Sequence, residues 1–225
     1  MWSEKKGDRG QGMADSKRAK NPQRGKLFVI AAPSGAGKTS LVRALMQRAP
    51  NLKFSISYTT RPQRANEEHG RDYFFVERTE FDRMAASGEF LEHAQVFDNC
   101  YGTSRAQVES LLAMGNNVLL EIDWQGAQQV RRAMPECRTV FILPPSRQAL
   151  EQRLRGRGTD SDEVIARRLR DSIADMSHWN EFDYVVVNDA FERATADLEA
   201  IVHGASEHLV ASRSEIQTLV RSLLG

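Results

Sequence analysis

The residues best suited to chemistry in this chain begin at Ala32-Pro33-Ser34-Gly35-Ala36-Gly37-Lys38-Thr39. Apart from alanine at its first position, this run matches the phosphate loop G-x-x-x-x-G-K-[ST]. The spacing has a chemical reason. Glycines let successive backbone N–H groups curl round phosphate oxygens, and a helix that starts at the lysine adds its positive N-terminal end. Lys38 then reaches the β- and γ-phosphates of a triphosphate such as ATP, and the Thr39 hydroxyl is a ligand for Mg2+. Alanine at 32 affects only how the chain enters the loop.

A second cationic cluster stands at Arg61-Pro62-Gln63-Arg64. A guanidinium presents a rigid fork of donors that fits phosphate oxygens, which a lysine cannot imitate. The phenols of Tyr73 and Tyr101 can add neutral donors. Taken alone, two arginines at this spacing read more readily as a solvated surface. No Ser/His/Asp or Cys/His arrangement is visible, and the five histidines lack metal-ligand spacing. His69 and His93 therefore read as structural.

These side chains need a frame. Leu27 to Ala31 is a short apolar run ending in Pro and Gly, the pattern of a buried strand entering a turn. Beyond Gly37, Leu41, Val42, Leu45, Met46 and Ala49 recur at helical spacing up to Pro50. Three more buried strands are predicted at Val118 to Ile122, Thr139 to Leu143 and Tyr184 to Val187. Strands alternating with helices give an open parallel α/β sheet, whose ligands collect at the carboxyl ends of the strands. Asp123, the Pro144-Pro145-Ser146 turn and Asn188-Asp189 all stand at such ends.

Two segments interrupt this alternation. Residues 54–105 are rich in Tyr, Phe, Arg and Thr, with strand-like pieces at Phe54 to Ser57 and Tyr73 to Val76 and a short helix near Thr79 to Ser87, and read as an inserted substrate lobe. Residues 147–178 are highly charged and read as a mobile helical hairpin, its second helix beginning after Asp160-Ser161-Asp162-Glu163. The core is left with 25–53, 106–146 and 179–225, the last of these helical from Phe191 to Leu224.

Composition narrows the classes. The chain has 225 residues, 40% of them apolar, enough for a core and inconsistent with fibrous or globally disordered proteins. Its longest runs free of charge, Leu27 to Gly37 and Ser110 to Leu120, fall well short of the ~20 apolar residues of a membrane span. Two separated cysteines and no apolar segment after the basic N-terminus suggest a reducing, cytoplasmic compartment. The net charge of +1 hides a basic segment: residues 1–26 carry eight Lys/Arg against three acids, and the rest is mildly acidic. Residues 1–24 read as a disordered tail, Trp2 being the one aromatic residue a nucleic acid could stack on.

With these runs in hand, the sequence resembles the guanylate kinase family, specifically its bacterial members, from about Gly25 to the C-terminus. The resemblance is carried by A-P-S-G-A-G-K-T at 32–39, S-Y-T-T-R-P-Q-R at 57–64, H-G-R-D-Y-F-F-V at 69–76, F-L-E-H-A at 90–94, Y-G-T-S at 101–104, E-I-D-W-Q-G-A at 121–127, R-L-R-G-R-G at 153–158 and V-V-N-D at 186–189. It implies a P-loop nucleoside monophosphate kinase, a parallel-sheet core with a GMP-binding lobe and a lid, transferring the γ-phosphoryl group of MgATP to GMP and dGMP in purine nucleotide metabolism. Its partners are then GMP/GDP and ATP/ADP, with neither nucleic acid nor membrane.

By motif, Arg61, Arg64, Tyr73 and Tyr101 fall on the family's GMP-phosphate ligands. Ser57, Glu92, Thr103 and Asp123 fall on its guanine-reading positions, with Glu67 near the same site. Without the family, Glu92 would read as a solvated acid at a helix end. Guanine offers N1–H and N2–H2 donors to a carboxylate and an O6 acceptor to a hydroxyl, whereas adenine would leave such groups unpaired. Asp123 has two open roles, reading guanine or orienting magnesium-bound water. Arg157 and Arg168 match the lid arginines, with Arg153 close by, and Asn188 is a candidate adenine contact. Cys100 stands where the family commonly has an aromatic residue, which bears on packing behind Tyr101. Two alternatives remain: a non-catalytic interaction module with this fold that holds phosphopeptides, and a nucleotide kinase with a different acceptor.

Overall fold

A computed structural model describes residues 23–96, 98–156 and 161–225. The basic tail expected over 1–24 thus lies almost wholly outside the described residues, as does Arg157.

The core is a parallel sheet of five strands. In chain order these are β1 (Leu27–Ala31), β2 (Leu52–Phe54), β7 (Asn117–Glu121), β8 (Arg138–Leu143) and β9 (Tyr184–Val187). Their spatial order is β2-β7-β1-β8-β9, and every pair is parallel. Successive β1 side chains leave on opposite faces, and both faces are covered. Leu27, Val29 and Ala31 join one core cluster, Phe28 and Ile30 the other. A strand buried on both sides must be apolar throughout, hence the unbroken Leu-Phe-Val-Ile-Ala run. The Phe28 and Ile30 face is covered by α1 (Lys38–Arg48) through Leu41, Val42 and Leu45 and by α7 (Phe191–His203) through Leu198 and Ile201. The opposite face is covered by α3 (Arg105–Ala113), α4 (Trp124–Ala133), α6 (Asp162–Met176) and α8 (Ser214–Leu224).

A second sheet has the order β4-β3-β6-β5. It contains β3 (Tyr58–Thr59), β4 (Phe74–Phe75), β5 (Phe90–Val96) and β6 (Asn99–Ser104), with β5 and β6 forming an antiparallel hairpin. Helix α2 (Arg78–Ala86) closes its small core, where Phe81, Met84, Phe90 and Cys100 are buried together. Helix α5 (Arg147–Arg155) precedes α6 and packs on it.

Three expectations change. Phe54 to Ser57 is not one strand, since Phe54 ends β2 in the core sheet and pairing resumes only at Tyr58 in the second sheet. The β5–β6 hairpin was not foreseen, because its mixed polar pattern declares a strand only once paired. The helix expected from Phe191 to Leu224 breaks at Gly204, whose φ of 86° ends α7; a 3-10 turn at Glu207–Leu209 precedes α8.

Candidate active site

The phosphate loop joins β1 to α1. Gly37, the residue before the helix, has φ 94° and caps no helix amide with a side chain, so the first N–H groups of α1 stay open. A Cβ at Gly37 would also collide with Asn188 Nδ2. The loop residues Ala32, Pro33, Ser34, Gly35, Gly37, Lys38 and Thr39 line a cavity of about 300 Å³, with Ala36 buried behind them. The loop is braced from behind. Asn188, 6% exposed, donates from Nδ2 to Ala36 O (2.7 Å), and Arg153 donates to Asn188 O (2.7 Å) and Ala36 O (3.4 Å). Expected at the adenine, the Asn188 amide is here engaged with the loop itself.

Lys38 is half-buried and donates to Ile122 O (2.8 Å), just past the end of β7. Desolvation lowers its pKa, while Glu121, Asp123 and Asp175 oppose the loss of its charge. The Thr39 hydroxyl donates to Glu121 Oε1 (2.6 Å). Glu121 was missed in the sequence, though it ends a core strand on the ligand side, the position that should have drawn attention to it. Asp123 caps α4, accepting from Gly126 N (2.7 Å) through Oδ1. Its charge is felt by both Lys38 and Glu92.

Glu92 lies on β5, not at a helix end, and is 6% exposed. Opposite it on β6, the Thr103 hydroxyl donates to Glu92 Oε1 (2.6 Å). Burial is the main reason its pKa is raised to about 7; the nearby Asp123 charge adds to the rise, and the Thr103 bond opposes it.

The arginine cluster is built around Glu67. Arg61 donates to Glu67 Oε1 (2.7 Å), and Arg64 N donates to Glu67 Oε2 (3.0 Å). Glu67 is held below the usual carboxylate range, first by the Arg61 bond and then by the Arg64 amide. Glu67, expected near the purine, thus pairs with both members of the arginine cluster. The Arg61 guanidinium lies 5.5 Å from the Tyr73 ring centroid, and the Tyr73 and Tyr101 rings are 6.0 Å apart, edge to face. Burial pushes the Tyr73 phenol up, keeping it a neutral donor. The Arg64 side chain is 69% exposed, against 13% for Arg61. Ser57 is half-buried at the entry to β3, its carbonyl accepting from Phe74 N (2.9 Å). His69 Nδ1 accepts from Phe75 N (3.2 Å), a structural bond. Cys100 is buried beside Phe90, and its N–H donates to Thr60 Oγ1 (2.8 Å).

From α6, Arg168 donates to Ser34 Oγ (2.8 Å) and Ser172 Oγ to Ser34 O (3.0 Å), which brings this helix onto the phosphate loop. Among the described residues, no three His, Cys, Asp or Glu side chains converge on a metal position, and no helix is long and apolar enough to cross a membrane.

The family model described as Guanylate kinase matches residues 24–205. The chain is 56% identical over 201 residues to a guanylate kinase of Methylococcus capsulatus, covering 89% of this chain and 98% of the relative. It is 49% identical over 202 residues to that of Escherichia coli strain K12, with the same two shares covered. The crystal structure of guanylate kinase from Anaplasma phagocytophilum superposes with a TM-score of 0.65 at 32% identity, over 89% of this chain and 95% of that one.

Proposed function

The chain belongs to the guanylate kinase family, and on that premise we propose how its residues divide the work of phosphorylating GMP. The protein is an ATP:GMP phosphotransferase, giving GDP and ADP. Residues 32–39 cradle the ATP phosphates, with Lys38 reaching across the β- and γ-phosphates once it leaves Ile122 O. Arg61, Arg64, Tyr73 and Tyr101 hold the GMP phosphate. Glu92 and Thr103 read the guanine edge, with Ser57 beside them and Asp123 between the two nucleotides. Glu67 acts through Arg61, holding its fork ready. Asn188 braces the loop. Arg168, with Arg157, brings positive charge to the transferring phosphoryl group.

The division into units follows: a GMP-binding lobe beginning just after Phe54 and running to about residue 105, a lid over 147–178, and a core made of the rest. The observation that carries this reading is the placement of Asp123. Its charge reaches both the ATP lysine and the buried Glu92–Thr103 pair, so donor and acceptor readers meet at one end of the core sheet.

The acceptor phosphate is already anionic near pH 7, so the chain needs no general base. Catalysis is then positioning and stabilisation of the charge that spreads over the equatorial oxygens. Thr39 Oγ1 beside the Glu121 carboxylate offers the hard oxygen donors that suit Mg2+, with substrate phosphates and water completing the shell. When bound, that ion neutralises charge on the β- and γ-phosphates. Closure of the lid excludes water that would otherwise hydrolyse ATP. Two free buried thiols, Cys100 and Cys137, suit a reducing cytoplasm.

A coupled ADP-release assay across AMP, GMP, CMP and UMP tests the assignment. GMP alone supports rapid turnover; comparable rates with another monophosphate would refute the guanine-reading roles.

A further inference from the structure

The C-terminal end of α6 is tied to α4 by contacts that the chemistry above does not use. Trp124, the first residue of α4, follows Asp123 directly. Its indole Nε1–H donates to Asp175 Oδ1 (3.1 Å), and its ring stacks on His178 with centroids 3.4 Å apart and planes 9° apart. His178 Nδ1 lies 2.6 Å from Glu181 Oε1, and Gln128 on the next turn of α4 donates to the other Glu181 oxygen. The two segments are thus joined by a stack and two polar links. Farther up the same helix, Arg168 and Ser172 meet Ser34 of the phosphate loop.

We propose that Trp124, Asp175 and His178 form a clasp that fixes the base of α6 to α4 and thereby sets where Arg168 and Ser172 reach the phosphate loop. The inference rests on the lid reading given above. The three are positioning residues, since none touches the reacting atoms.

The lever is short and stiff. At ~1.5 Å per residue, Arg168 stands roughly 10 Å along α6 from Asp175. A small tilt at the base therefore moves the guanidinium by a sizeable fraction of an ångström, and misplacement by ~1 Å can cost about 10²-fold in rate. The clasp also leaves from the residue after Asp123. Rearrangement at the N-terminus of α4 when GMP binds would be felt at the foot of the helix that carries Arg168. Apolar packing alone could not specify this: Ile165 and Met176 anchor α6 in the core without direction, whereas a hydrogen bond and a ring stack fix rotation about the helix axis.

The test uses the full chain and steady-state kinetics. Trp124→Phe keeps a ring for His178 but loses the N–H donor. It should lower kcat about 10-fold with KM for GMP and ATP within about 2-fold, while thermal unfolding shows the protein still folded. Asp175→Ala should do the same, and the double variant should be no worse than either single one. Asp175→Asn keeps an acceptor for the indole and should restore most of the rate. If Asp175→Asn is as slow as Asp175→Ala, charge rather than positioning is at work and the clasp is overturned. If Trp124→Phe retains full kcat while Arg168→Ala is crippled, the clasp fails and the lid reading survives. If Arg168→Ala retains full activity, the lid reading fails and the clasp falls with it.

Discussion

In the proposed division, the ATP-side residues form one continuous run, Ala32 to Thr39, whereas the GMP-side residues are gathered from the approach to β3, the loop at 61–67, β4's entry, β5, β6 and the start of α4. Both regions are assigned to phosphate. The first offers it chiefly backbone N–H groups at a helix N-terminus, which any sequence able to make the turn can supply. The second uses side chains, and each must be oriented by another: Arg61 by Glu67, Glu92 by Thr103, Tyr73 by its packing against Tyr101. A triphosphate shared by many reactions needs only a cradle. One purine monophosphate among several needs buried donors and acceptors that the wrong base leaves unpaired.

Lys38→Ala should break the comparison most severely if it is wrong. We expect kcat to fall about 10³-fold with GMP affinity changed less than about 3-fold, read by ADP release and calorimetric titration. Lost GMP binding in a folded variant would mean that the two regions do not divide the phosphates as described.

Arg61→Lys sharpens the contrast between fork and point charge. It removes the bond that fixes the guanidinium on Glu67, and the KM for GMP should rise about 10²-fold while the KM for ATP stays constant. An unchanged KM for GMP would return Arg61 to the solvated surface.

Glu92→Gln replaces an acceptor pair with one acceptor and one donor. The preference for GMP over AMP in kcat/KM should shrink by about 10- to 100-fold, and the ATP loop should not notice. Competition kinetics with the two monophosphates decide it.

The smallest effect concerns pH. Glu92 has a native pKa near 7, so between the ordinary carboxylate range and that value it keeps a proton that the unfolded chain has lost. Protonated, it cannot accept both guanine donors, and the KM for GMP should rise about 10-fold between pH 8 and pH 6. Glu92→Gln corrects for titration of GMP itself and should remove only the enzyme's share. The sign for stability is the reverse. A raised carboxylate pKa stabilises the fold at pH below the unfolded value and loses that contribution as pH rises through about 7. The melting temperature of Glu92→Gln relative to the parent should therefore climb with pH, and a flat difference would put Glu92 in contact with solvent.

Much of the core was legible. β1, α1 and the three later parallel strands are announced by continuous apolar runs or helical spacing, because a strand buried on both faces has no freedom to be polar. The second sheet was legible only in pieces. In β5, Phe90 and Leu91 are buried side by side and Glu92 follows them inward, a pattern without period two; the register shift between Phe90 and Glu92 explains it. Gly204 carried a readable stop signal for α7 that the long apolar spacing beyond it obscured.

The sequence by itself determined the phosphate loop and the family and nominated the candidate site residues, since a cradle made of consecutive amides is a local object and ordered motifs survive in one dimension. The tertiary structure decided what each side chain is bound to. Glu67 went to Arg61, Glu121 to Thr39, Asn188 to the back of the loop, and Asp175 to the foot of α4. Those partners are set by how strands and helices pack, and a carboxylate's role is fixed by the donor that folding places within about 3 Å of it.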